Sequence, residues 1–200
     1  MSAPLVDGFT DVAEKSILQR LRLKPSLRDA PTISLVLWKT PLFDWIKVNT
    51  DGSVTSLPPA AACGGIFRDN LASFKGGFAK KLNVVSVLHA ELTAIILAIE
   101  IAHRQGWNNV WIESDSQAAL CAFANHEVVP WDLRNRWKNC LLLGINLVSS
   151  HIFREGNSCA DKLANHGHTI IDFTWWDSLP QFLRGAFMND KLGFPCYRFA

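Results

Sequence analysis

Four acidic side chains stand where their types and spacing could do chemistry. Asp51 closes the stretch WIKVNTD and is followed by Gly52-Ser53. Glu91 lies in VLHAELTAIILAIEIAHRQG, on the same helical stripe as Leu88, Ile95, Ile99 and Ala102. Asp115 ends NNVWIESD, and Asp161 follows Asn157 in REGNSCADKLAN. Each acid has an ordinary role open to it. Asp-Gly is a turn signal. A glutamate can be hydrogen-bonded at the rim of a core. Ser and Asp before a helix are N-caps. An acid in a first helical turn is favoured by the helix dipole. Taken together, and in this order, the four suggest something else. Carboxylates gathered at one place repel each other and resist ionisation, so a cluster of them calls for cations. Oxygen ligands without a His or Cys cluster point to Mg²⁺ or Mn²⁺ rather than zinc. The six histidines show no metal-ligand spacing.

The elements that must carry these acids can be read from periodicity. Trp45–Val54 alternates as a strand. Ala61–Asp69 and Ser73–Leu82 read as two more, joined by an Asp69-Asn70 turn, which predicts an antiparallel meander. A helix is expected from about Val87 to Gln105, stopped by Gly106. NNVWIESDS is a fourth strand, with Val110, Ile112 and Ser114 on one face and Trp111, Glu113 and Asp115 on the other. Helices follow at Ser116 to about Asn125 and Trp131 to about Leu143. INLVSSHIFRE is a fifth strand, and Asn157 to about His166 a last helix. The order β-β-β-α-β-α-α-β-α implies an α/β fold: one five-stranded mixed sheet with helices on both faces.

Three regions follow. Residues 1–40 are an N-terminal extension or linker, with a short helix over DVAEKSILQRLRL (Asp11 as cap, Glu14 closing a capping box, Ile17, Leu18 and Leu21 as apolar stripe) and Pro25, Pro31 and Pro41 breaking the chain. Residues 41–168 form the α/β domain, and 169–200 an aromatic tail that packs on it. The chain has 200 residues, 48% hydrophobic, with net charge +2 and pI ≈ 8.3. It is too weakly basic to announce nucleic-acid binding by charge alone. Five scattered cysteines, an odd number without Cys-x-x-Cys, fit a reducing compartment. No apolar run of signal-peptide type or membrane-spanning length is present, so an intracellular chain, nuclear or cytoplasmic, is expected, with no membrane partner.

VNTDGSV, HAELTAI, ESDSQAAL and HIFREGNSCADKLAN resemble, in order, the four acidic motifs of the ribonuclease H family. The likeness is closest to the ribonuclease H-like domains of plant non-LTR retroelements. Gly64-Gly65-Ile66-Phe67-Arg68-Asp69 and the tail start FTWWDSLP share it, so it covers roughly Trp38 to the end. The resemblance implies a ribonuclease H-like fold. It also implies a metal-dependent endonuclease that cuts the RNA strand of RNA·DNA hybrids, working as a monomer, alone or with a reverse transcriptase or other nucleic-acid-binding partner. Asp51, Glu91, Asp115 and Asp161 are its implied catalytic and metal-binding residues, holding two Mg²⁺ or Mn²⁺ ions that bracket the scissile phosphate. Asp51 would be shared by both ions, Glu91 and Asp115 would orient the first, and Asp161 the second.

Gly52 would let the substrate backbone come close. Ser53, Ser116 and Asn157 are candidates for contacts to 2′-hydroxyls, with turn and cap roles equally open to them, and Arg154 is a candidate for phosphate. Two features depart from the bacterial enzymes: the loop histidine before the last aspartate has no counterpart, His151 being read as a strand residue, and the basic handle helix is absent or cut down. Lys75, Lys80 and Lys81 make only a modest basic cluster, and Trp107, Trp111 and Trp131 read as core or rim rather than stacking platforms. The competing reading is a catalytically weak or inactive retroelement-derived nucleic-acid-binding domain. Proofreading exonucleases carry Asp-x-Glu where this chain has Asp51-Gly52-Ser53, and integrases end their triad in Glu where this chain has Asp161.

Overall fold

Ile46, Val48 and Thr50 alternate with Lys47, Asn49 and Asp51, and Ile46–Ser56 is a strand, β1. It pairs antiparallel with β2 (Pro59–Arg68), which pairs antiparallel with β3 (Phe74–Leu82). Asp69 shapes the turn between the latter two, its Oδ1 accepting from the amides of Leu71 and Ser73. Helix α1 (Val87–Arg104), capped by Ser86, then crosses to β4 (Asn109–Ser114), which runs parallel to β1. After α2 (Gln117–Leu120) and α3 (Arg134–Leu141), β5 (Asn146–His151) adds parallel to β4. Helix α4 is Ser158–His166.

This computed structural model describes Arg20 and residues 32–199. The helix expected around Asp11–Leu21 lies outside the described residues, as Arg20 alone is described there. The chain separates into two units. One is Leu35–Arg198, which holds every element above; the other is Met1–Ser34 with Phe199–Ala200.

The expected five strands are present, and the tail supplies a sixth. Strand β6 (Phe173–Trp176) pairs antiparallel with β3, giving the order β5-β4-β1-β2-β3-β6. FTWW places Trp175 and Trp176 on opposite faces of that edge. Trp175 reaches Phe67, with ring centroids 5.9 Å apart, while Trp176 packs with the cluster under α4. The tail goes on through helix α5 (Arg184–Lys191) to a short strand at Cys196–Phe199. Three expected elements are shorter than read, the helix expected from Trp131 to about Leu143 spanning only Arg134–Leu141. The helix after Asp115 stops at Leu120 and gives way to 3₁₀ turns, because Asn125 caps a new turn at the Glu127 amide and Pro130 follows. The fifth strand stops at His151, before a 3₁₀ turn at Arg154–Gly156.

Two cores result. On one face Val48, Cys63, Phe67, Phe78, Val110 and Ile112 meet the apolar side of α1 and Trp137 of α3. On the other, Ile66 meets Cys159 and Leu163 of α4 and Leu183, Ala186 and Phe187 of the tail. Among the described residues no helix is long and apolar enough to cross a membrane.

Candidate metal centre

The pairing of β1 with β4 ends at Thr50 and Ser114. The next residue on each strand is an acid, Asp51 and Asp115. Two carboxylates therefore stand side by side where the parallel pairing stops, Asp51 midway along β1 and Asp115 just past the carboxyl end of β4, the end at which sheets of this kind collect ligands. Ser116 rather than Asp115 caps α2, its Oγ accepting from the Ala119 amide, so Asp115 is not spent as a cap.

Two glycines bring the helices in. A Cβ on Gly52 would stand 2.6 Å from the backbone nitrogen of Glu91, so the close approach at Gly52 is made by α1. Gly64 lies opposite Asp51 in β2, and a Cβ there would stand 2.5 Å from the backbone nitrogen of Ala164 in α4. Only residues without side chains let both helices lie backbone-close on the sheet at this level. Glu91 and Asp161 arrive on those helices.

Asp51, Glu91 and Asp115 each offer an oxygen, and these atoms lie within 4.8 Å of one another. Asp161, in the first turn of α4, stands outside this group of three. It is still near enough to Asp51 to help push its carboxyl up. Burial is the main cause of that rise, to about 8, with Asp115 and Asp161 adding repulsion and the Gly52 amide opposing it. Burial also pushes Glu91 up to about 9, with Asp51 and Asp115 next in weight. Glu91 Oε2 is buried without a hydrogen-bond partner. A carboxylate with one orphaned oxygen, grouped with two more carboxylates, is the donor set a hard divalent cation takes, so the residues fit Mg²⁺ or Mn²⁺.

The remaining predicted residues fall in different places. Ser53 Oγ donates to Asn165 Oδ1 at 2.6 Å and lies 3.0 Å from His168 Nε2. Arg154 is exposed and reaches Asp161 Oδ1 at 3.5 Å. Asn157 is buried, and its amide donates to Thr50 O and to Asp115 Oδ1 at 2.9 Å. His151 ends β5. Trp107 packs on Phe67 at 5.1 Å and Trp111 is half-buried, whereas Trp131, expected in the core or at its rim, is 83% exposed. Local patterns did not single out the buried polar residues around the site, Lys47, Asn49, Arg68, Glu113 and Asp190, or the buried Trp38 that donates to Asn49. A signal was present, since Lys47, Asn49 and Asp51 share one face of a central strand, and Glu113 shares a face with Asp115.

A family profile described as "Reverse transcriptase-like" matches residues 49–167, more than half of the chain. The chain belongs to the reverse transcriptase-like family. An Arabidopsis thaliana protein named "Putative ribonuclease H protein" is 29% identical over 164 residues, which are 80% of this chain and 26% of that protein. The chain thus spans about a quarter of the length of this relative. Among solved structures, RNase H1 from Halobacterium salinarum aligns with a TM-score of 0.56 at 21% identity, over 62% of this chain and 98% of that one. LC11-RNase H1, from compost and solved with an RNA/DNA hybrid, aligns with a TM-score of 0.54 at 24% identity, over 60% and 94%. This member of the reverse transcriptase-like family therefore has the ribonuclease H fold.

Proposed function

We propose that the chain is a metal-dependent endoribonuclease that cuts the RNA strand of RNA·DNA hybrids. The observation that carries this reading is the meeting of Asp51, Glu91 and Asp115, with oxygens within 4.8 Å of one another, where the parallel pairing of β1 and β4 stops. Family membership and the hybrid in the LC11-RNase H1 structure support it. Asp51, Glu91, Asp115 and Asp161 would hold two Mg²⁺ or Mn²⁺ ions. When bound, such ions supply an activated water and positive charge for the leaving oxygen. The protein's own residues prepare the place. Burial favours the protonated form of Asp51 and Glu91, so their full donor capacity is released when a cation displaces the protons. The Gly52 amide faces both. Exposed Arg154 is positioned beside Asp161 to meet a substrate phosphate. The modest basic surface suits a domain that works joined to, or beside, a partner that grips the hybrid.

The test is cleavage of a labelled hybrid by the purified chain with Mg²⁺ or Mn²⁺. Nicking of the RNA strand, abolished by Asp51→Asn, is the expected result. Hybrid binding without metal-dependent cleavage would replace this reading with that of an inactive nucleic-acid-binding domain.

A further inference from the structure

Asn49 is the saturated centre of a buried polar chain that leads from the tail to Asp115. Arg68 can only donate. Its Nη1 donates to Asp190 Oδ2 at 2.6 Å and its Nη2 to Asn49 Oδ1 at 2.7 Å. Trp38 Nε1 donates to the same Asn49 oxygen at 2.8 Å, and the Arg68 guanidinium lies 3.7 Å over the Trp38 ring. Two fixed donors on one side settle which end of the Asn49 amide is oxygen. Its nitrogen must then face Glu113 Oε2 at 2.9 Å and Asn157 Oδ1 at 3.2 Å. The Asn157 nitrogen is turned in the same way to Thr50 O at 3.0 Å and Asp115 Oδ1 at 2.9 Å. Reversing either amide would set donor against donor.

Nothing in this chain of contacts is free to relax into water. Asn49, Arg68 and Asn157 are each 1% exposed, and Asp190 is 9% exposed. Asn157 stands at the N-terminus of α4 yet makes no side-chain cap there. Its amide is committed inward to Asp115, although Asn is a favoured cap residue. Both outer members, Trp38 and Asp190, lie outside the stretch that matches the family profile, 49–167.

We propose that the tail helix α5 belongs to the catalytic apparatus: Asp190, through Arg68, Asn49 and Asn157, holds Asp115 in the orientation that a cation requires. The proposal rests on the reading of Asp115 as a cation ligand. Asp190, Arg68, Asn49, Asn157 and Trp38 are positioning residues, since they reach the reacting atoms only through Asp115. Partners of this kind behind a metal ligand are worth about 10–100-fold in affinity or activity.

The experiment uses the full chain, ¹⁵N-labelled, with Asp190→Asn and Trp38→Phe. It reads the side-chain amide resonances of Asn49 and Asn157, the affinity for Mn²⁺, and kcat and KM on a hybrid, with circular dichroism to establish folding. Asp190→Asn is expected to move both amide resonances and weaken Mn²⁺ about 10-fold. It is also expected to lower kcat with KM for the hybrid unchanged. Trp38→Phe removes one donor from Asn49 while keeping an aromatic face, and moves the same readouts less. A folded Asp190→Asn with unmoved resonances and unchanged Mn²⁺ affinity overturns the proposal. If Asp190→Asn does not fold, the same two readouts in Trp38→Phe decide. An unmutated chain that binds Mn²⁺ but cuts no hybrid sinks the nuclease reading alone, and the positioning role is then judged on resonances and affinity. An unmutated chain that binds no Mn²⁺ overturns both.

Discussion

The two faces of the sheet are built on different physics. Under α1, Val48, Cys63, Phe67, Phe78 and Ile112 are fully buried and apolar, and they meet Ile95, Ile96 and Ile99. On the opposite face the same strands bury Lys47, Asn49, Arg68 and Glu113. Those polar groups are paired. Lys47 Nζ lies 2.7 Å from Glu113 Oε1, donates to Lys39 O and stands 3.9 Å over the Trp111 ring, and Arg68 is bound to Asp190. Apolar packing is non-directional and tolerates small changes of volume. A buried ionic network is poor evidence for stability, because desolvation offsets much of its attraction. Burial holds the Lys47 ammonium below the usual lysine range even with Glu113 beside it, which shows desolvation outweighing the pair's attraction at that site. What such a network adds is direction, and direction is what a site built from carboxylate oxygens needs.

That contrast can be broken most forcefully at Glu113. Glu113→Ala leaves Lys47 buried and unpaired, and should cost about 3–5 kcal/mol in chemical denaturation. The double substitution Lys47→Met with Glu113→Leu should recover much of the loss, because both charges leave together. No recovery would mean that the polar face supports the fold through attraction rather than through orientation.

A smaller effect separates the site from both faces. Asp51 and Glu91 are raised to about 8 and about 9, well above the ordinary carboxylate range. A raised carboxyl stabilises the protonated fold. That contribution is complete below about pH 4 and is lost as pH climbs through the folded values. A cation takes the ionised form, so Mg²⁺ must displace protons at pH 6 but not above pH 9. The rise in melting temperature on adding Mg²⁺ should therefore be larger at pH 9 than at pH 6. At a hundredfold excess over the dissociation constant the ion contributes about 2.7 kcal/mol. An equal rise at both pH values would show that these two carboxyls do not bind the ion.

Ile112→Val is the mildest change. It removes one methylene from the apolar face and should cost about 1 kcal/mol in denaturation. Mn²⁺ affinity should stay constant, as expected for sites that share no partner. A drop in affinity would show that the apolar core also sets the carboxylates.

Local chemistry made much of this legible in the residues themselves. Period-two alternation marks β1, and Ser86 with the apolar stripe marks α1. Asp51, Glu91 and Asp115, far apart in the chain, stood out because each interrupts or ends such a pattern, and the fold brings those three together. The sixth strand was not legible, because Phe173–Trp176 is four residues long and becomes a strand only by docking on the edge of β3. Nor was the contact of Arg68 with Asp190, which spans 122 positions and leaves no local periodicity behind it.

The sequence by itself determined the types of the elements from β1 to α4, the order of the acids and the class of ion such acids would suit, since these follow from periodicity and ligand chemistry. Only the tertiary structure decided which oxygens meet and what holds them. Those outcomes depend on how closely α1 and α4 lie on Gly52 and Gly64, and on which way the amides of Asn49 and Asn157 turn. Such distances are set by side chains distant in sequence packing together, and no stretch of residues carries them alone.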